Sequence, residues 1–215
     1  MIKKILKENY FYLIILLILI IVFSLIMRSS LHDKIIVFDK KVIDYINNNR
    51  SNALVSFFKV LTNFGGFIIP CCILIIILLF NNNRWIFILQ TACYSFAGII
   101  TYIAKLLAGR ARPEIALIKM PISYSFPSGH TLTSIVFYTL LCYLLTYNTK
   151  SKYKHLFMVF SVVLALLIAV SRVYLGVHFL SDVLGGLIIA IPCLLMCINI
   201  INKNFKEKLV DVLKK

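Results

Sequence analysis

Residues 156–200 read LFMVFSVVLALLIAVSRVYLGVHFLSDVLGGLIIAIPCLLMCINI. Two apolar runs, 156–174 and 178–200, are each close to the ~20 residues a helix needs to cross a hydrocarbon core. The joint between them holds the segment's only arginine, histidine and aspartate, Arg172, His178 and Asp182. A hairpin with no charged face along either arm is built for lipid, and its few ionisable groups stand where the arms meet the interface.

The same criterion applied outward gives six spans, near 10–27, 65–80, 85–107, 130–147, 156–174 and 178–200. Composition agrees: of 215 residues, 61% are hydrophobic and 14% charged, whereas a soluble domain is roughly half apolar and a quarter charged. The expected fold is all-α, an integral membrane bundle of six transmembrane helices forming one membrane-embedded domain over residues 1–215. The run from Tyr10 to Met27 follows Lys3, Lys4 and Lys7 but no small-x-small cleavage site follows it, so a retained anchor is expected rather than a removed leader.

A net charge of +15, from 23 Lys and Arg against 8 Asp and Glu, would suggest nucleic acid in a soluble protein. Here no polar domain exists to present a groove, and the basic residues sit in short loops and tails where they set topology and touch anionic lipid headgroups. Asn81 to Arg84 reads as a tight polar turn, and Asn148 to His155 as a basic loop with Lys150, Lys152 and Lys154. An even span count puts both termini on one side. The basic tally is nearly balanced between the sides, but Asp33, Asp39 and Asp44 offset the charge of the first opposite loop, so both termini are expected in the cytoplasm.

Between the first two spans lies a stretch too long for an idle turn. Val42, Ile43 and Ile46 fit one helical face with Asp39 as the helix cap, and Leu54, Phe57, Phe58 and Leu61 fit another. Short interfacial helices are expected there. The six cysteines, Cys71, Cys72, Cys93, Cys142, Cys193 and Cys197, fall in apolar stretches and read as small fillers; Cys193 and Cys197, four apart, also have the spacing of a metal pair.

The polar residues at the span ends form three groups. Lys105–Pro113 is KLLAGRARP, Pro127–His130 is PSGH, and Ser171–Asp182 is SRVYLGVHFLSD. With these spans all three emerge on one face. Lys105, Arg112 and Arg172 supply cations, two of them guanidinium forks suited to phosphate oxygens. Ser128 and Gly129 open a helix whose first turn exposes backbone N–H groups. His178 and Asp182 are four apart, so the carboxylate can accept from one imidazole nitrogen and leave the other to attack, while His130 is a second imidazole able to protonate a departing oxygen. Taken singly, each has a duller reading: a lysine at a span end snorkels, and Arg172 with Asp182 suits a structural ion pair. Arg110 and Lys119 are read as snorkelling residues, and His32 and His155 as polar interface residues.

Together K-x6-RP, PSGH and SR-x5-H-x3-D resemble the three-part signature of the type-2 phosphatidic acid phosphatase superfamily, which includes the vanadium haloperoxidases. The resemblance implies that Lys105, Arg112, Ser128, Gly129 and Arg172 bind phosphate, that His178 is the nucleophile, that Asp182 orients it, and that His130 is the general acid. It implies a helical bundle with the site at the outer ends of the spans. No metal or other cofactor is expected, because Asp182 is the only acidic group within the three blocks. The expected partner is a lipid phosphate in the bilayer, with undecaprenyl diphosphate first, phosphatidylglycerol phosphate or phosphatidic acid next, and lipid A after them. A vanadate-holding haloperoxidase and a non-catalytic membrane protein are the readings from other classes.

Overall fold

The structure is a computed structural model and describes residues 2–81, 83–147 and 152–202. Eight α-helices follow in order: α1 (Ile2–Ile26), α2 (Leu31–Asn48), α3 (Asn52–Leu61), α4 (Ile68–Phe80), α5 (Arg84–Ala108), α6 (Gly129–Leu145), α7 (Lys154–Tyr174) and α8 (Leu180–Ile200). A 3₁₀ turn, Thr62–Gly65, joins α3 to α4. Half of the basic loop expected over Asn148 to His155 lies outside the described residues, as do the C-terminal lysines.

Among the described residues four helices are long and apolar enough to cross a membrane: α1 from Asn9, α5, α7 and α8. The segment expected as one straight second span is bent by 50°, and counts as a fifth crossing only when α3, the 3₁₀ turn and α4 are taken together. The fourth expected span, α6, has 17 residues, about 25 Å of helix against a core of about 30 Å. It is short because it need not reach both interfaces alone. Leu132, Val136, Phe137 and Leu140 are fully buried, and α5, α7 and α8 all pack around it. A helix buried on so many sides belongs at the centre of the bundle, and exposed apolar residues, such as Phe157, Phe160 and Val170 of α7 and Leu17 and Ile21 of α1, lie on the helices outside it.

The helix ends are explained locally. Asn83 caps α5, its side chain accepting from Trp85 N at 3.1 Å, and α5 stops at Gly109, whose φ of 63° closes the helix on Lys105 O. After α7 the chain reverses at Gly176 with φ 71°, where a Cβ would stand 1.9 Å from Ile115 O; only glycine fits. Inside the bundle several polar groups find partners on other helices. Gln90 Nε2 donates to Phe137 O at 2.9 Å, and the carbonyls released at the break before α4 are taken by Tyr138 Oη on Phe64 O at 2.6 Å and Tyr94 Oη on Gly66 O at 3.4 Å.

The long segment between the first spans does form two helices. On α2 Ile43 is buried, and Val42 and Ile46 pack against Ala169, Val173 and Val183. On α3 Phe58 is buried against Tyr174, while Leu54 and Phe57 remain exposed. Asp39 is not the helix cap expected of it. Ser30 occupies that position, and Asp39 lies within α2 with no exposed surface.

Candidate active site

The C-terminal ends of α5 and α7 and the N-terminal ends of α6 and α8 converge, and the loops between them carry the three polar groups. His178 sits in the loop before α8 rather than on its first turn, yet its Nδ1 lies 3.3 Å from Asp182 Oδ2. The same oxygen accepts from Phe179 N at 2.9 Å and from Ser125 Oγ at 2.5 Å. The carboxylate is thus fixed by backbone and hydroxyl, and its contact with Nδ1 leaves Nε2 as the free ring nitrogen of the neutral imidazole. Arg112 Nη1 lies 3.2 Å from that Nε2 and donates also to Val177 O at 2.8 Å. Burial pushes the His178 imidazole down to about 3, with Lys105 and Arg112 adding to the effect and Asp182 opposing it. A buried ring facing cations stays neutral, the form able to attack.

The remaining cations ring this pair. Lys105 Nζ donates to the carbonyls of Tyr124 and Ser125, and Arg112 Nε and Nη2 bind Ser123 O and Oγ at 2.8 and 3.0 Å. Arg172, 2% exposed, donates from Nη1 to Thr62 Oγ1 at 2.5 Å and does not pair with Asp182. His130 lies within electrostatic reach of Arg172, His178, Arg112 and Lys105. Its ring is backed by the 3₁₀ turn: a Cβ at Gly65 would stand 3.1 Å from His130 Cδ2. Gly129 faces α5, where a Cβ would meet Thr101 Cγ2 at 3.2 Å and Lys105 Cε at 3.9 Å. Ser128 caps α6, its Oγ accepting from Thr131 Oγ1 at 2.9 Å, and its backbone N donates to Asp182 O at 3.0 Å. The preceding Phe126–Pro127 bond is cis.

Arg110 departs from its sequence reading most. Instead of snorkelling to the interface it is 3% exposed, with Nη1 2.5 Å from Asp182 Oδ1 and Nη2 2.6 Å from Asp39 Oδ2. Its guanidinium also lies 4.4 Å from the Phe179 ring centre. A side chain with two carboxylates to neutralise it has no reason to seek water. Lys119 and His155 are exposed, as an interface position requires.

All eight residues singled out by the three motifs therefore stand at one end of the bundle. The PAP2 superfamily model matches residues 86–206, more than half of the chain. The chain belongs to the PAP2 superfamily. A curated member, phosphatidylglycerophosphatase B of Bacillus subtilis strain 168, is 36% identical over 104 residues, covering 47% of this chain and 51% of that protein. The aligned part thus spans about half the length of that curated relative. Among solved structures, the transmembrane PAP2-type phosphatidylglycerolphosphate phosphatase of Bacillus subtilis superposes with a TM-score of 0.79 at 24% identity, covering 90% of this chain and 97% of that one. Aquifex aeolicus LpxE gives 0.58 at 23% identity, over 74% and 93%. Both likenesses establish the PAP2 fold as a multi-span membrane bundle.

Sequence reasoning missed Asp39, Thr62, Arg110, Ser125 and Ser181, all within the PAP2 site or one contact from it. Arg110, Ser125 and Ser181 lie inside or beside the motif blocks, but the contacts that bury them join segments far apart in the chain. Asp39 and Thr62 precede the matched family segment, and only tertiary contacts reveal them.

Proposed function

We propose that the protein is a membrane lipid phosphatase working through a phosphohistidine. The observation that carries this is His178, a neutral buried imidazole with Nδ1 on Asp182 and Nε2 beside Arg112. In this reading the phosphate lies among Lys105, Arg112, Arg172 and the start of α6 at Ser128 and Gly129, which neutralise its equatorial oxygens. Nε2 of His178 attacks phosphorus in line, the bond from phosphorus to the lipid oxygen breaks, and His130, protonated once the anionic phosphate offsets the cations around it, gives that oxygen its proton. Water, deprotonated by His130, then displaces His178 and releases inorganic phosphate. The protein's cations supply the charge stabilisation, so no metal enters the scheme.

A cavity of about 540 Å³ lined by Tyr102, Lys105, Leu106, Ile122, Ser123 and Tyr124 supports a lipid substrate. It joins a phosphate-binding cation to Tyr102 and Leu106, exposed on the apolar helix α5, so a headgroup can reach Lys105 while its chains lie along that helix in the bilayer. The name of the curated relative makes phosphatidylglycerol phosphate the first substrate, and undecaprenyl diphosphate, expected from the family resemblance, is the second. The site faces outward from the cytoplasm, with both termini inside.

Phosphate release from detergent-solubilised protein tests the reading, over a panel of phosphatidylglycerol phosphate, undecaprenyl diphosphate, phosphatidic acid and lipid A. We expect turnover on at least one, unaffected by EDTA and lost in His178→Ala. Wild-type turnover in His178→Ala would remove the nucleophile, and loss with EDTA restored by magnesium would remove the metal-independent scheme.

A further inference from the structure

We propose that Asp39 and Arg110 are positioning residues, a buried ion pair through which α2 sets the orientation of the Asp182–His178 pair. The inference rests on the function proposed above for that pair but concerns groups outside the three motifs. Its geometry is a continuous chain of charge-assisted hydrogen bonds. Asp39 Oδ2 accepts from Arg110 Nη2 at 2.6 Å and from Ser181 Oγ at 2.5 Å, and Asp39 Oδ1 accepts from Ser181 N at 3.0 Å. Arg110 Nη1 then donates to Asp182 Oδ1 at 2.5 Å and to Ser181 Oγ at 2.7 Å. Neither Asp39, Arg110 nor Asp182 has any exposed side-chain surface.

Two consequences follow. The first is at the start of α8. Its N-cap residue is Phe179, which has no side-chain acceptor, and the first N–H groups of a helix need partners from outside it. Asp39 supplies one for Ser181 from a different helix, and so fixes the turn that carries Asp182. The second is at the carboxylate. Asp182 divides its lone pairs, Oδ1 to Arg110 and Oδ2 to Ser125, Phe179 N and His178. The rigid guanidinium fork, held at its other nitrogen by Asp39, determines which way the carboxylate plane turns, and thereby how well Oδ2 meets Nδ1 of His178. Without Asp39 the whole charge of Arg110 falls on Asp182, drawing the carboxylate from the imidazole.

The experiment uses the full-length protein in detergent micelles, with Asp39→Ala, Asp39→Asn and Arg110→Lys. Two quantities are read: kcat and KM for the lipid phosphate turned over by the wild type, and the proton resonance of His178 Nδ1–H in histidine-labelled protein. Asp39→Ala is expected to lower kcat about 10- to 100-fold, the usual scale for a partner of a catalytic ligand. KM should change far less, and the Nδ1–H resonance should move upfield as its bond to Asp182 lengthens. Arg110→Lys, a point charge without the fork, should do the same. Asp39→Asn keeps the shape and one acceptor, so it folds where alanine does not and gives a smaller effect of the same sign. An unchanged Nδ1–H resonance in Asp39→Asn and Arg110→Lys overturns the proposal whatever the rates do, since Asp39 then acts by another route. A kcat within twofold of wild type in both variants overturns it too. Failure of the wild type on every lipid would instead sink the proposed function, and the resonance would still decide the role of the ion pair.

Discussion

At the residue scale, the proposed mechanism turns on keeping one imidazole neutral. His178 is held at about 3, well below the 6.5 of a free imidazole, so its native ring binds no proton at pH 5 while the unfolded chain's ring does. Unfolding then takes up a proton, and stability falls as pH drops from about 6.5 toward 3, by up to about 1.4 kcal/mol per pH unit from this group. Ring ¹⁵N shifts of His178 should remain those of the neutral form at pH 5, and an imidazolium signal there would refute the assignment. Ser125 makes a second test. Its hydroxyl is a donor to a buried carboxylate, so Ser125→Ala leaves that oxygen short of a partner, a change of about 1–3 kcal/mol; a lower thermal midpoint and a reduced kcat are the expected outcome. The motif residues were legible because three cations, two imidazoles and one carboxylate at fixed spacings have few other uses beside a hydrocarbon phase. Arg110 was misread because its environment is set by Asp39, 71 residues away, and no local pattern reports a partner at that distance.

At the element scale, the break between α3 and α4 does what a straight span would not. The 3₁₀ turn brings Thr62 to Arg172 and Gly65 against His130, so the backbone itself forms one wall of the site. At Gly65 a Cβ would stand 2.4 Å from Ile168 Cγ2 and 2.9 Å from Ser134 Oγ. Gly65→Ala is therefore expected to lower the thermal midpoint, by overpacking worth about 1–3 kcal/mol, and to lower kcat by displacing His130. A variant with unchanged midpoint and rate would show that the turn gives way freely. Existence and type of the long helices were plain in the sequence, since an uninterrupted apolar run allows little else in a membrane. The break was hidden by that same apolarity. Gly65-Gly66 was its one local mark, and the tyrosines that receive the freed carbonyls come from α5 and α6.

At the scale of the whole molecule, the observed bundle brings the three polar groups to one end, as span parity required, although the count rests on four long helices, a bent pair and a short central helix. Which side of the membrane that end faces follows only from charge balance. In a cysteine-free background, a membrane-impermeant maleimide applied to intact cells should label Ile122→Cys, fully exposed beside the site, and spare Lys152→Cys at the opposite end. The reverse labelling would turn the protein over. The Asp39–Arg110 ion pair, which ties α2 to the start of α8 through Ser181 and Asp182, also bears on what can be engineered. The family-matched segment begins at residue 86, so a shortened chain or a graft of the three motifs onto another helical scaffold would carry His178 and Asp182 without Asp39, the acid proposed to steady the turn that holds them. Such a chimera needs a substitute for Asp39 in its design, and the signature alone is an incomplete recipe for the activity it marks.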